Sequence, residues 1–426
     1  MALLFHSNFP IFDLSELQQP QLNTNNMKRT LLASILAMAA CTIAVAQVKE
    51  DFKPASTNQA GKQYPMVNSE RVIRAQVNAP DAQRVQFDIS GVKYDLKKDA
   101  NGVWTGETAP QDEGFHYYQI WVDGAATPDP NSLYYYGASR WGSGIDIPAH
   151  DEDFYALKNV PHGDVREVYY YSKTNDAMRH CYIYTPASYD VDLDKRYPVL
   201  YLQHGGGESE HGWPQQGKTG LIMDNLIAAG LAEEFIIVMD NGAAGRPRQA
   251  AAPAGQRPQG PPQGERPQGQ RPQGGRPGMG MPSGWADGFM NTLVNDIIPM
   301  VDAKYRTIAD KEHRAMAGLS MGAMQTKAIT MAKPDVFSKL GLFSGGTISV
   351  EEANNAPGFR DAYDLVFVSF GSREVENPRG GVDPGKITAD LKASGMNAHY
   401  YVSPETAHEW QTWRRSLYQF AQLLFK

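Results

Sequence analysis

Cysteine is nearly absent: the 426 residues contain two, Cys41 and Cys181. A disulfide framework is therefore excluded as the source of stability, and the fold must rest on ordinary cores. Basic charge is not in excess either. Forty Lys and Arg stand against 47 Asp and Glu, a net charge of −7, so bulk composition does not point to nucleic acid. The apolar run at the N-terminus, 16 residues from Leu31 to Ala46, is too short for a comfortable membrane span. Length is not lacking: the chain can build two domains with cores of their own.

That short run has a different use. Met27 is followed by the basic pair Lys28 and Arg29, then by the apolar stretch, which ends in Ala44-Val45-Ala46. This is the pattern of a secretory signal peptide over residues 27–46, cleaved before Gln47. Residues 1–26 then read as an over-extended start, and the expected location is periplasmic or secreted. Lipoprotein cleavage at Cys41, in "MAAC", is the alternative. Export leaves Cys181 alone, in the strand-like "RHCYIYTP", where a buried structural thiol is expected.

Residues 47–69 are polar and turn-rich and are expected to be a flexible lead. From residue 70 the pattern changes. "RVIRAQVNAP", "RVQFDIS", "YDLKKDANGVWTGETAP" and "GFHYYQIWVDG" are short β-rich runs separated by Asn, Asp, Gly and Pro. Val85-Gln86-Phe87-Asp88-Ile89 alternates as a half-buried strand does. Such spacing predicts a small all-β, immunoglobulin-like sandwich over residues 70–150. "DEGFHYYQIWVDGAATPDPNS" resembles the ending of a family 48 carbohydrate-binding module, which implies sugar binding. Trp104, Tyr117, Tyr118, Trp121 and Trp141 are open to sugar stacking or to core packing.

The rest, residues 164–426, reads as α/β. "RYPVLYLQHGGG", "EFIIVMDNG", "HRAMAGLS", "DLVFVSFGS" and "AHYYVSP" look like buried parallel strands. Helical patterns lie between them. In "FMNTLVNDII" Phe289, Leu293 and Ile297 share a face, and Pro299 is expected to end or kink the helix. In the last helix Trp410, Trp413, Leu417, Phe420 and Leu424 form an amphipathic stripe, with Trp413 assigned to the core. The expected fold is α/β: a doubly wound α/β-hydrolase sheet, with its ligand site at the C-terminal strand ends.

"RAMAGLSMGAMQT" then becomes informative. It holds Gly318-Leu319-Ser320-Met321-Gly322, between a short strand and a helix-competent stretch. That setting suits a nucleophile elbow, so Ser320 is the expected nucleophile. Its base should lie downstream. His399 falls inside a strand. His408 follows the last strand, at the same sheet edge as Ser320, and is the expected base. An acid to orient it should follow "DLVFVSFGS". Glu374 is nearest the strand end; Glu376 and Asp383 stay open. Backbone N–H groups of Met321 and of Gly206, in "QHGGG", are the expected oxyanion donors. His204 beside them suits loop anchoring. Neither a metal nor a cofactor is required.

"LYLQHGGGESEHGW", "IVMDNG", "AMAGLSMGAMQT" and "TAHEWQTWRRSLYQFAQLLF" resemble the esterase-D-type α/β-hydrolases of carbohydrate esterase family 1, across nearly the whole domain. The resemblance implies the same roles for Ser320, His408 and the loop after His204, and implies that Trp213 lies near the acyl pocket. The family's acid is usually Asp; here the turn is Gly371-Ser372-Arg373-Glu374. It implies a feruloyl or acetyl esterase acting on a polysaccharide or oligosaccharide ester such as arabinoxylan. The alternatives are an acyltransferase, a siderophore esterase and a non-catalytic glycan-binding protein.

Residues 244–283 repeat "RPQG" imperfectly and carry six Arg and one Glu, a net +5 that leaves −12 elsewhere. Pro, Gly and Gln build no core, so a disordered insertion is expected, either neutral or a basic tether to acidic polysaccharide. Replacing residues 245–282 by a short Gly-Ser loop is therefore expected to leave the melting temperature nearly unchanged. A large drop in a thermal melt would contradict this. For a tether, the deletion also weakens binding to glucuronoxylan, and the loss shrinks as salt is raised.

Overall fold

The structure, a computed structural model, describes residues 48–242, 284–376 and 383–426. The expected signal peptide and the Arg-Pro-Gln-Gly insertion lie outside these residues. No helix among the described residues is long and apolar enough to cross a membrane.

Two antiparallel sheets occupy the N-terminal part. One runs Lys53–Pro54, Met66–Val67, Ile73–Asn78, Val103–Glu107, Lys97–Lys98. The other runs Tyr134–Gly137, Arg140–Ile147, Gly114–Val122, Val85–Ile89, Val92–Asp95. The alternation in Val85–Ile89 has the expected cause: Val85, Phe87 and Ile89 are buried while Gln86 and Asp88 are not. These three join Ile73, Trp104 and Tyr118 in one apolar cluster. The described part of the expected lead, residues 48–69, is not simply flexible. Lys53–Pro54 pairs with Met66–Val67, which pairs with Ile73–Asn78. Strands of two residues give no readable alternation, and among the described residues of this segment Val67 and Ala55, just after the first strand, join the cluster.

The C-terminal part is a mixed sheet of eight strands in the order Asp164–Ser172, Ala177–Thr185, Ile236–Asp240, Val199–Gln203, Arg314–Leu319, Lys339–Phe343, Leu365–Gly371, Ala398–Ser403. The first two strands are antiparallel additions; from Ile236–Asp240 onward the neighbours are parallel. Central strands such as Val199–Gln203 are buried at every residue, because apolar clusters cover both faces. Pro299 does not end its helix. A π-helical stretch, Leu293–Ile297, precedes it, and the helix resumes over Ile298–Lys304 with the proline in its first turn, where no N–H is needed.

The two parts share contacts that fix the site. Phe115 and Tyr135 of the antiparallel sheet lie in the same cluster as Trp213 and Trp410. Arg414, fully buried in the last helix, donates to both oxygens of Asp146 at 3.0 Å and to the Gln216 carbonyl at 2.7 Å. Burial alone would raise the pKa of Asp146, but the Arg414 guanidinium overrides it and holds the carboxyl ionised, below its ordinary value. Arg415 makes a second link, to Asp151 at 2.7 and 2.9 Å.

Candidate active site

Ser320 joins the strand Arg314–Leu319 to the helix Met321–Ala332 with φ +52° and ψ −113°. A residue with a Cβ rarely holds such a backbone, and its persistence means that the surroundings enforce it. The Ser320 N–H donates to the Phe343 carbonyl at 2.8 Å. The flanking glycines are forced by close approach. A Cβ on Gly318 would lie 2.6 Å from the carbonyl carbon of Gly322, and one on Gly322 would lie 2.6 Å from the His204 oxygen. Gly322→Ala is accordingly expected to cost about 1–3 kcal/mol through overpacking. Urea unfolding measures this; a midpoint equal to the parent's would show that the helix can move aside.

His408 follows the last strand. Its Nε2 lies 2.9 Å from Ser320 Oγ, and its Nδ1 lies 2.8 Å from Glu374 Oε1. The ring stands edge-on to Trp413, centroids 5.2 Å apart. Glu374 sits in the short helix Ser372–Glu376, one turn after the strand Leu365–Gly371. Its Oε2 accepts the Ser344 hydroxyl at 2.7 Å and the Gly371 N–H at 2.8 Å. Burial raises its pKa, but the bonds from His408, Gly371 and Ser344 outweigh that and leave it below the usual carboxylate value. A carboxylate is thus kept charged beside the imidazole. The strand end tightens at once into helix, and from its first turn the Glu374 side chain reaches His408. Glu376 and Asp383 do not join the group. Asp383 caps the helix Pro384–Ala393 by accepting the Lys386 N–H at 3.0 Å. His399 bonds to Asn397 instead.

Ser344 was not singled out by sequence reasoning. The signal was present in "LFSGG", a hydroxyl between a buried strand and two glycines, at the sheet edge that carries Ser320.

Met321 is the first residue of its helix, so its N–H has no carbonyl one turn back to bond. A Cβ on Gly206 would meet Met321 Cβ at 3.9 Å, and one on Gly205 would lie 3.3 Å from Ser320 Cβ, so the two backbones flank the serine. His204 is buried and its Nδ1 lies 2.8 Å from the Gly205 carbonyl. Burial lowers its pKa, which suits a neutral ring that holds the loop. Trp213 is 1% exposed, donates its N–H to the Gln203 carbonyl at 2.9 Å, and packs against Phe343 and Trp410. It is core behind the loop and does not line the cavity onto which Ser320 opens. The wall is made by other aromatics, Phe115, Tyr117, Tyr118, Trp121, Trp410 and Trp413. Trp104 and Tyr118 are buried in the N-terminal cluster. Trp141 is exposed and packs edge-on to Tyr136 and His211.

Ser320 and His408 stand between two cavities. One, of about 570 Å³, runs toward the antiparallel sheet; the other, of about 680 Å³, lies over Met324, Thr347 and Phe370. The hydrogen-bonded chain can carry the Ser320 proton onto His408 as Oγ attacks a carbonyl. Among the described residues one group, Glu113, His150 and Asp151, has ligand atoms at metal-like spacing. Arg71 and Arg415 already pair with its carboxylates.

A largely parallel sheet with a strand–serine–helix turn at its centre defines an α/β-hydrolase. The family model described as "Putative esterase" matches residues 172–356. An endo-1,4-beta-xylanase/feruloyl esterase of Xylanibacter ruminicola is 42% identical over 386 residues, 89% of this chain and 48% of the relative. The chain thus spans about half of that relative's length. Among solved structures, the enterobactin esterase of Shigella flexneri superimposes with a TM-score of 0.56 at 14% identity, over 83% of this chain and 92% of that one. This likeness concerns the fold alone. A CE1 ferulic acid esterase from Anaeromyces mucronatus gives 0.47 at 22% identity, over 64% and 95%.

Proposed function

We propose that the chain is a serine esterase that removes feruloyl groups from a cell-wall polysaccharide such as arabinoxylan. The observation that carries this reading is the chain of bonds from Ser320 to His408 to Glu374, at 2.9 and 2.8 Å. The name of the 42% identical relative supports the choice of acyl group. In this mechanism His408 takes the Ser320 proton while Oγ attacks the ester carbonyl. The N–H groups of Met321 and Gly206 bind the oxyanion. Collapse expels the sugar alcohol, protonated by His408, and leaves an acyl-Ser320. Water, deprotonated by His408, then releases the acid. Glu374 holds the ring in the required tautomer and stabilises the imidazolium in both halves. The two antiparallel sheets are read as an immunoglobulin-like sandwich of the carbohydrate-binding-module type, and the protein as exported.

Purified protein assayed on methyl ferulate and on 4-nitrophenyl acetate tests this. Turnover of methyl ferulate is expected. Turnover of the acetate alone would reassign the acyl group, and inactivity on both would refute the esterase reading.

A further inference from the structure

The cavity of about 570 Å³ beside Ser320 contains a carboxyl that the proposed reaction does not use. Glu208 stands in the turn that follows His204, and its N–H donates to the Gly205 carbonyl at 3.2 Å. It therefore shares a turn with Gly206. Its carboxyl accepts the Tyr117 hydroxyl, at 2.8 Å to Oε2 and 3.0 Å to Oε1. Tyr117 belongs to the antiparallel strand Gly114–Val122, 91 residues earlier. The Tyr117 oxygen accepts in turn from Gln216 Nε2 at 2.7 Å and Trp410 Nε1 at 3.2 Å. A phenol has one proton to give and two lone pairs. All three are in use, so Tyr117 fixes Glu208 and has nothing left to offer a ligand.

Glu208 is in the opposite condition. A carboxylate has about four acceptor sites, and one donor occupies this one. No cation pairs with it among the described residues, and burial pushes its pKa up to about 7. Around it the wall is aromatic, with Phe115, Trp410 and Trp413. The Trp413 indole N–H is buried without a hydrogen-bond partner among the described residues. A half-buried carboxyl without a counter-ion is costly for folding, and such groups cluster where a ligand supplies the missing partner. The ligand that suits flat aromatic walls and one fixed carboxyl is a planar ring bearing a hydroxyl.

We propose that Glu208, held by Tyr117, is a specificity-determining residue that binds the ring hydroxyl of a 4-hydroxyaryl acyl group. This rests on the esterase reading for the identity of the acyl chain. As a carboxylate it accepts the phenolic O–H; as the acid it donates to the phenolic oxygen. An acetyl group has nothing to present to it.

The test compares methyl 4-coumarate with methyl cinnamate, which differ only in that hydroxyl. Binding of both to Ser320→Ala protein is measured by calorimetry, so that no turnover interferes. The coumarate is expected to bind about tenfold or more tightly than the cinnamate, the worth of one good polar contact. Adding Glu208→Leu should bring the two affinities together. Glu208→Gln keeps the volume and a partner for Tyr117, and should lower the ratio severalfold, because charge-assisted bonds are about twice as strong as neutral ones. Equal affinities in the Ser320→Ala protein would overturn the proposal. So would a ratio that both substitutions leave unchanged, including an equal weakening of both esters, which is what a purely structural Glu208 gives. If the unmutated protein hydrolysed neither ester, the esterase reading would fall while the affinity ratio still judged Glu208.

Discussion

Ser320→Ala is expected to lower kcat on methyl ferulate by about 10⁴-fold or more while leaving the fold intact, as the loss of a triad member does elsewhere. The size follows from the chemistry: without Oγ no acyl-enzyme can form, and only the oxyanion donors and substrate binding remain. An intact fold follows from the backbone. The strained φ of +52° is enforced by the Gly318–Gly322 packing and by the N–H bond to Phe343, and neither uses the hydroxyl. The bond lost is that to His408, which is about half exposed. Turnover and circular dichroism on the same preparation decide the matter. A variant that kept a tenth of the parent's kcat would show that Ser320 is not the nucleophile.

Glu374→Gln is expected to cost about 10²–10⁴-fold in turnover. Three donors converge on this carboxylate: His408, Ser344 and the Gly371 N–H. An amide has one oxygen. It must turn its NH₂ toward His408, and so demand the wrong tautomer, or toward Ser344 and the Gly371 N–H. In the second case it keeps the tautomer but supplies no charge for the imidazolium. Glu376→Gln should be mild, because Glu376 is not part of this group. Asp383→Asn should be mild in turnover too, since its bond is a helix cap. Collapse of activity in either of these, with near-parental turnover in the Glu374 variant, would move the acid elsewhere.

What could be read along the chain was whatever has a local cause. Period-two alternation in Val85–Ile89 follows from one buried face, and unbroken apolar runs such as Val199–Gln203 from two. Gly318 and Gly322 are needed within one turn of Ser320, so the elbow pattern is visible in five consecutive residues. His408 could be chosen over His399 because the end of a strand, not its middle, faces the ligand edge of such a sheet. Pro299 does not end its helix because a π-helical stretch, Leu293–Ile297, leads into a new first turn that holds the proline, and nothing in the local sequence announces that stretch.

The tertiary structure decided what depends on where side chains point. Glu374, Glu376 and Asp383 all satisfy the chain order, and only the turn of Ser372–Glu376 aims one of them at an imidazole 34 residues away. Trp213 and Trp413 are both tryptophans near the site; packing puts the first behind the His204 loop and the second on the cavity wall. The strands Lys53–Pro54 and Met66–Val67 owe their existence to backbone pairing with a neighbour, which carries no side-chain pattern. The Tyr117–Glu208 bond joins two parts of the chain whose local sequences do not refer to each other. Sequence by itself determined the serine turn at the centre of the sheet, because a strained elbow must be encoded locally. The walls and polar contacts of the cavity come from segments up to about 300 residues apart, such as Tyr117 and Trp410 at a separation of 293, and only their packing against one another brings them together.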